Sequence, residues 1–133
     1  MSLILAASGL RSIHETFGWV VVGANLVAGA WATLAHFKPK LRHRSLWWFT
    51  SVAELTIVVQ VILGVALRQE LFADSAAPEH LNFHMFYGFI ALFSMAIIYS
   101  YRAQMKDQIH LLYGAGGLFL AGLALRAIYI NPT

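Results

Sequence analysis

Four nearly unbroken apolar runs, Ile13 to Phe37, Leu46 to Leu67, Leu81 to Tyr101 and Ile109 to Ile130, occupy most of the chain. Each reaches the ~20 residues that a helix needs to cross ~30 Å of hydrocarbon, where the helix is one of the few structures that satisfies its own backbone. Only 11% of the 133 residues are charged and mean hydropathy is +0.68, whereas a soluble domain is about one-quarter charged. The sequence therefore predicts an all-α integral membrane protein, a four-helix up-down bundle. Its single domain covers 1-133, with helices at about 13-37, 46-67, 81-101 and 109-130. Short connections make successive helices antiparallel neighbours. The 133 residues leave no room for a soluble catalytic domain, so the expected chemistry lies in or at the bilayer. Cysteine is absent, which removes disulfides and thiolate ligation. Met1 to Leu10 is apolar with small residues and lacks the basic start of a cleaved signal peptide; it reads as an interfacial lead-in.

A sequence pI of about 9.5 would point to nucleic acid in a soluble protein. Here the basic residues flank the apolar runs and act as topology signals, so no nucleic-acid partner is expected. Lys38, Lys40, Arg42, Arg44, Arg102 and Lys106 fall in the first and third connections, against Arg11, Arg68 and Arg126 on the opposite side. By the positive-inside rule this predicts a multi-pass protein of a plasma or inner membrane with both termini non-cytoplasmic. The loop from Arg68 to His80 would then face outward. Trp47, Trp48, Tyr99, Tyr101 and Tyr129 lie near run ends, where amphipathic rings favour the interface with membrane lipid.

The first run carries a polar stripe. His14, Asn25 and His36 are spaced eleven residues apart, as are Gly18 and Gly29. At ~100° per residue each such step drifts only ~20°, so the set lies along one helix face. A short element recurs three times: "HETFG" from His14 to Gly18, "HMFYG" from His84 to Gly88 and "HLLYG" from His110 to Gly114. Positions i and i+4 share a helix face, so each glycine would leave space beside an imidazole. A flat macrocycle whose iron is bound axially needs such space, and two imidazoles from different helices of a bundle can hold it.

Sorted by membrane side, the expected bis-histidine pair outside is His14 with His84, and a second pair inside is His36 with His110. The candidate cofactor is haem b. A chlorophyll-type macrocycle would need the same axial imidazole and flat space, and another metal is the remaining alternative. A separation of ~33 Å between His14 and His36 along one helix is long for two stacked electron carriers. A simpler role is open to every one of these residues. A ring at the end of an apolar run can reach interfacial water, and Gly114, Gly117, Ala121 and Ala124 form a face suited to close helix packing. His43 and His80 are expected in solvated loops.

Glu54 lies about eight residues into the second run, where an ionised carboxylate is costly unless paired. It is a candidate for a proton path, or a protonated acid bonded to the nearby Thr50 and Ser51 hydroxyls. Asn25 and Gln60 read as interhelical hydrogen-bonding groups, and Arg68 and Arg126 as residues that snorkel outward.

No phosphate-binding glycine loop, zinc-protease motif or nucleophile elbow occurs, which argues against hydrolytic and nucleotide-dependent chemistry. With four helices and histidines such as His14, His84, His36 and His110 near both membrane faces, the arrangement resembles small membrane-anchor cytochromes b in architecture alone. The leading expectation is a haem-binding electron relay, acting with quinone or as a subunit of a larger respiratory or redox complex rather than as a stand-alone enzyme. Its rivals are a noncatalytic accessory subunit that docks onto other membrane-protein subunits or its own copies, and a small proton-coupled carrier using Glu54.

Overall fold

Runs of leucine, valine, alanine and phenylalanine without an internal proline form helices throughout. A computed structural model describes residues 2–72 and 79–130, and within them four α-helices: α1 (Ser2–Phe37), α2 (Arg44–Phe72), α3 (Glu79–Ser100) and α4 (Ile109–Ile130). All four are long and apolar enough to cross a membrane. Short 3-10 turns at Pro39–Leu41 and Lys106–Gln108 serve the first and third connections.

Three boundaries differ from the expectation. The stretch from Ser2 onward, read as an interfacial lead-in, continues α1 as helix. Its small and straight-chain residues include no proline, and Arg11 pairs with Glu15 one turn later at 3.2 Å. At its far end α2 extends past Leu67 to Phe72, because Gln69, Glu70 and Leu71 are all good helix formers. His80, expected in a loop, lies in the first turn of α3, where Glu79 complements the helix dipole. Most of the acidic loop beyond α2, including Ser75 and Pro78, lies outside the described residues.

Paired contacts show that each helix runs antiparallel to its neighbours. Asn25 of α1 meets Ala53 of α2, His14 meets Gln60, His84 of α3 meets Ala127 of α4, and Arg68 of α2 meets Asn82 of α3. The α1–α4 contact is the most extensive, with α2 against the other flank of α1 and α3 against the other flank of α4. Contact between α2 and α3 is slight, so the bundle closes weakly along that seam.

Small residues make the α1–α4 crossing possible. Gly29 and Thr33 of α1 meet Gly114 and Gly117 of α4 backbone to backbone, and a Cβ at Gly117 would lie 2.8 Å from the Gly29 Cα. The space left by Gly114 is filled by Thr33, whose hydroxyl donates back to the Gly29 carbonyl at 2.7 Å. Ala121 is buried on the same face of α4. This is the close helix packing that the small-residue face implies. Val21, Ile57, Ala91, Ile98 and Leu120 form the central core, with a second cluster of Ala32, Ala35 and Leu46 at the end where α1 turns into α2.

Polar groups fasten α1 to α2. Asn25, only 1% exposed, donates to the carbonyls of Val21 at 2.9 Å and Ala53 at 3.1 Å, so it is the interhelical clamp that its place on the stripe predicts. In the first connection Arg42 donates to the carbonyls of Ala35 and His36, satisfying the end of α1. His43 is exposed in that connection, as expected, and its Nδ1 accepts from the Ser45 amide at the start of α2.

Gly117→Val should loosen the α1–α4 crossing and cost about 1–3 kcal/mol through overpacking. Gly122→Ala, with no atom within 4 Å of its would-be Cβ, should be close to neutral. Thermal denaturation of the two variants in one detergent measures the difference.

Candidate functional site

The N-terminal part of α1, the last turns of α2, the first turns of α3 and the last turns of α4 meet at one end of the bundle. His14 and His84 come together there. Their ring centroids are 5.8 Å apart and their planes stand at 79° to each other. His14 is 7% exposed; His84 is half-buried.

The His84 Nδ1 lies 2.8 Å from the carbonyl oxygen of Ala127 in α4. A carbonyl only accepts, so Nδ1 is the donor, and in the neutral ring Nε2 is the nitrogen with the lone pair. A backbone bond of this kind orients most metal-binding histidines. The His14 Nδ1 is buried without a partner, and so is the Gln60 Oε1. Gln60 donates through Nε2 to the His14 carbonyl at 2.7 Å, the second interhelical polar contact expected between α1 and α2.

Both rings border a narrow cleft of about 80 Å³ that lies along the α2–α3 seam. Val61, Gly64 and Gly88 form part of its walls, and Leu120 and Leu123 of α4 part of its floor. Its surface is almost entirely apolar, with His14, His84 and Gln60 as the convergent polar groups.

The glycines divide the space differently from the i, i+4 argument. Gly18, expected to leave room beside His14, is filled by the Gln60 amide at 3.2 Å and by Ile128. The His14 ring lies instead against Gly64 of α2, where an added Cβ would sit 3.1 Å from its Cε1. Helical side chains lean toward the N-terminus of their own helix, so a histidine points away from the glycine four residues later. The glycine that accommodates it belongs to the antiparallel neighbour. Gly88 is more open, with Val61 at 3.6 Å from its would-be Cβ, and lines the cleft without touching the His84 ring. Gly64 and Gln60 are site residues that the search for His-x-x-x-Gly passed over. Gln60-x-x-x-Gly64 has the same spacing and was the available signal.

The opposite end of the bundle is arranged otherwise. His36 packs edge-on against Phe37 at 4.9 Å, and His110 lies against Trp47 at 5.2 Å. Gly114 is occupied by Thr33. Glu54 is half-buried in the first half of α2. The hydroxyls offered to it in sequence go elsewhere: Ser51 donates to the Trp47 carbonyl at 2.9 Å, and Thr50 is buried without a partner.

Among the described residues no three His, Cys, Asp or Glu side chains converge on one point. Two imidazoles stand together at the His14 end. A two-nitrogen set suits a metal that brings its remaining ligands with it, as an iron macrocycle does. The free His84 Nε2, the unpartnered His14 Nδ1 and the glycine-lined walls all fit such a group.

No protein-family model matches the chain, and neither a curated protein nor a solved structure is significantly similar to it. The fold and the cleft define its class on their own terms: an all-helical chain with four membrane-length helices and a histidine pair facing an apolar cleft.

Gly64→Leu should push the His14 ring from its seat, whereas Gly88→Ala should not. Diethyl pyrocarbonate reports this directly. His14 should react slowly in the parent protein and in Gly88→Ala, and markedly faster in Gly64→Leu.

Proposed function

We propose that this protein is a small membrane-embedded b-type haem protein that relays electrons, with His14 and His84 as the axial ligands. The observation that carries this reading is the convergence of two imidazoles from different helices on an apolar cleft, one of them already oriented through its Nδ1 by the Ala127 carbonyl. Haem iron supplies reversible one-electron chemistry. The chain supplies the rest. The Ala127 carbonyl holds His84 in the tautomer that presents Nε2. Gly64 lets His14 stand close to α2, and the walls from Val61 to Leu123 make the cleft almost entirely apolar.

One haem is proposed, at the His14 end. The second expected pair, His36 with His110, packs against Phe37 and Trp47 and borders no cleft among those described at the His14 end. Electrons pass to or from a quinone or a larger respiratory complex of which the protein is a subunit. The distribution of basic residues supports both termini on the non-cytoplasmic side, which puts the haem toward that face.

Absorption spectra of detergent-solubilised protein, oxidised and then dithionite-reduced, test the reading. The parent protein should show a low-spin b-type spectrum. His14→Ala or His84→Ala should each abolish the six-coordinate form, and His36→Ala and His110→Ala should preserve it. Absence of any haem band after expression with adequate haem leaves the accessory-subunit reading in its place.

Glu54 supports a second reading, a proton-coupled carrier, because its carboxyl shares the first half of α2 with the unpartnered Thr50 hydroxyl. Glu54→Gln keeps hydrogen-bonding capacity and removes proton exchange. Loss of proton-coupled transport in proteoliposomes, with protein level unchanged, is the outcome for a proton path. Unchanged transport removes that reading.

A further inference from the structure

At the end of the bundle opposite the His14–His84 cleft, α3, α4 and the connection between them enclose a second hollow. Its volume is about 620 Å³, within the ~300–1,000 Å³ typical of small-molecule sites. Small side chains shape it. Ser94 of α3 and Ala115 and Gly116 of α4 leave little above the backbone, and Ile98 packs into the space at Gly116. Ile97 and Phe119 border the same hollow and are each more than half exposed. The feature is therefore an open groove between two helices, apolar along nearly its whole surface.

Its depth and its charged end restrict what can lie in it. Along α4 the groove runs from Leu111 to Phe119, ~12 Å of helix rise. One leaflet is about as deep, at half of a ~30 Å hydrocarbon core. Met105 closes the end at the connection. Lys106 is the next residue and Arg102 stands shortly before, and both are exposed, beyond the apolar groove rather than within it. Arg102 is held over the Tyr99 ring, 4.2 Å from its centroid. Lys38, Lys40 and Arg44 are exposed in the other connection at this end of the bundle. Asp107 is the one acidic residue of the two connections. An apolar groove of one-leaflet depth that ends at positive charge matches an acyl chain that carries an anionic head.

We infer that the α3–α4 groove binds an anionic phospholipid, with one acyl chain between Ile97 and Phe119 and the phosphate head beyond Met105, beside Lys106 and Arg102. A zwitterionic lipid offers the same chains without net charge, so the basic end selects by headgroup. A basic residue close to such a head is worth about fivefold in binding. The inference goes beyond the haem reading and does not depend on it.

The test is native mass spectrometry of the full chain in detergent, with phosphatidylglycerol or phosphatidylcholine of identical acyl chains added at equal concentration. The parent protein should retain phosphatidylglycerol about tenfold better. Arg102→Gln combined with Lys106→Gln should hold the two lipids alike. Ala115 is exposed on the groove side of α4, so Ala115→Leu fills the groove without crowding the core, and it should lower retention of both lipids severalfold.

Equal retention of the two lipids by the parent protein overturns the inference. So does a preference for phosphatidylglycerol that persists undiminished in the double variant, because the head is then read elsewhere, as by Lys38, Lys40 and Arg44. Unchanged retention in Ala115→Leu removes the groove as the place of the chain. The same spectra report mass, and a parent dimer without lipid that Ala115→Leu converts to monomer would assign the groove to a second copy of the chain and overturn the lipid site. The comparison in the parent needs no substitution, so a folding defect in a variant does not obscure it.

Discussion

The backbone contact between α1 and α4 governs the rest of the structure. Where Gly29 and Thr33 meet Gly114 and Gly117, the helices approach more closely than any side chain larger than hydrogen would allow at the glycines. In a bilayer, where lipid tails are as apolar as leucine, such packing is a principal source of helix association. With α1 and α4 held together as a central pair, α2 and α3 each take an outer flank, and slight contact between them leaves the seam that becomes the cleft. The same small residues that stabilise the bundle at one end thus create the space at the other.

Polar groups then set register. The Asn25 bond to Ala53 fixes the α1–α2 pair at mid-helix, and the Gln60 amide on the His14 carbonyl fixes it at the cleft. A slip of one turn would separate His14 from Gly64 and cost Asn25 its bond to Ala53, about 1 kcal/mol. Histidine placement is therefore a consequence of how α1 sits on its neighbours. His84 depends in the same way on α4, through Ala127.

Much of the architecture could be read from the residues alone. Run lengths foretold four helices, the lone Asn25 in an apolar stripe foretold an interhelical bond, and shared His-x-x-x-Gly spacing singled out His14 and His84, whose rings meet. Which glycine served which ring was beyond that argument. It treated histidine and glycine as partners on one helix, whereas the side chain leans toward its own N-terminus and finds its space on the antiparallel neighbour, at Gly64. Gly114 went to Thr33 for a related reason: an i, i+4 spacing says that two positions share a face, and only the neighbouring helix decides what that face meets. Helix ends were also hard to place, since Gln69 to Leu71 and Ser2 to Leu10 carry no breaker and propensity extends the helix past the apolar run.

The central claim is that two imidazoles share one iron. Electron paramagnetic resonance of the ferric protein, purified with its native complement of haem, tests it most directly, because spin state reports the axial ligands without reference to any partner or substrate. The account predicts a low-spin ferric signal from iron with two nitrogen ligands. A purely high-spin signal from five-coordinate iron, or protein isolated with no iron signal at all, would contradict it.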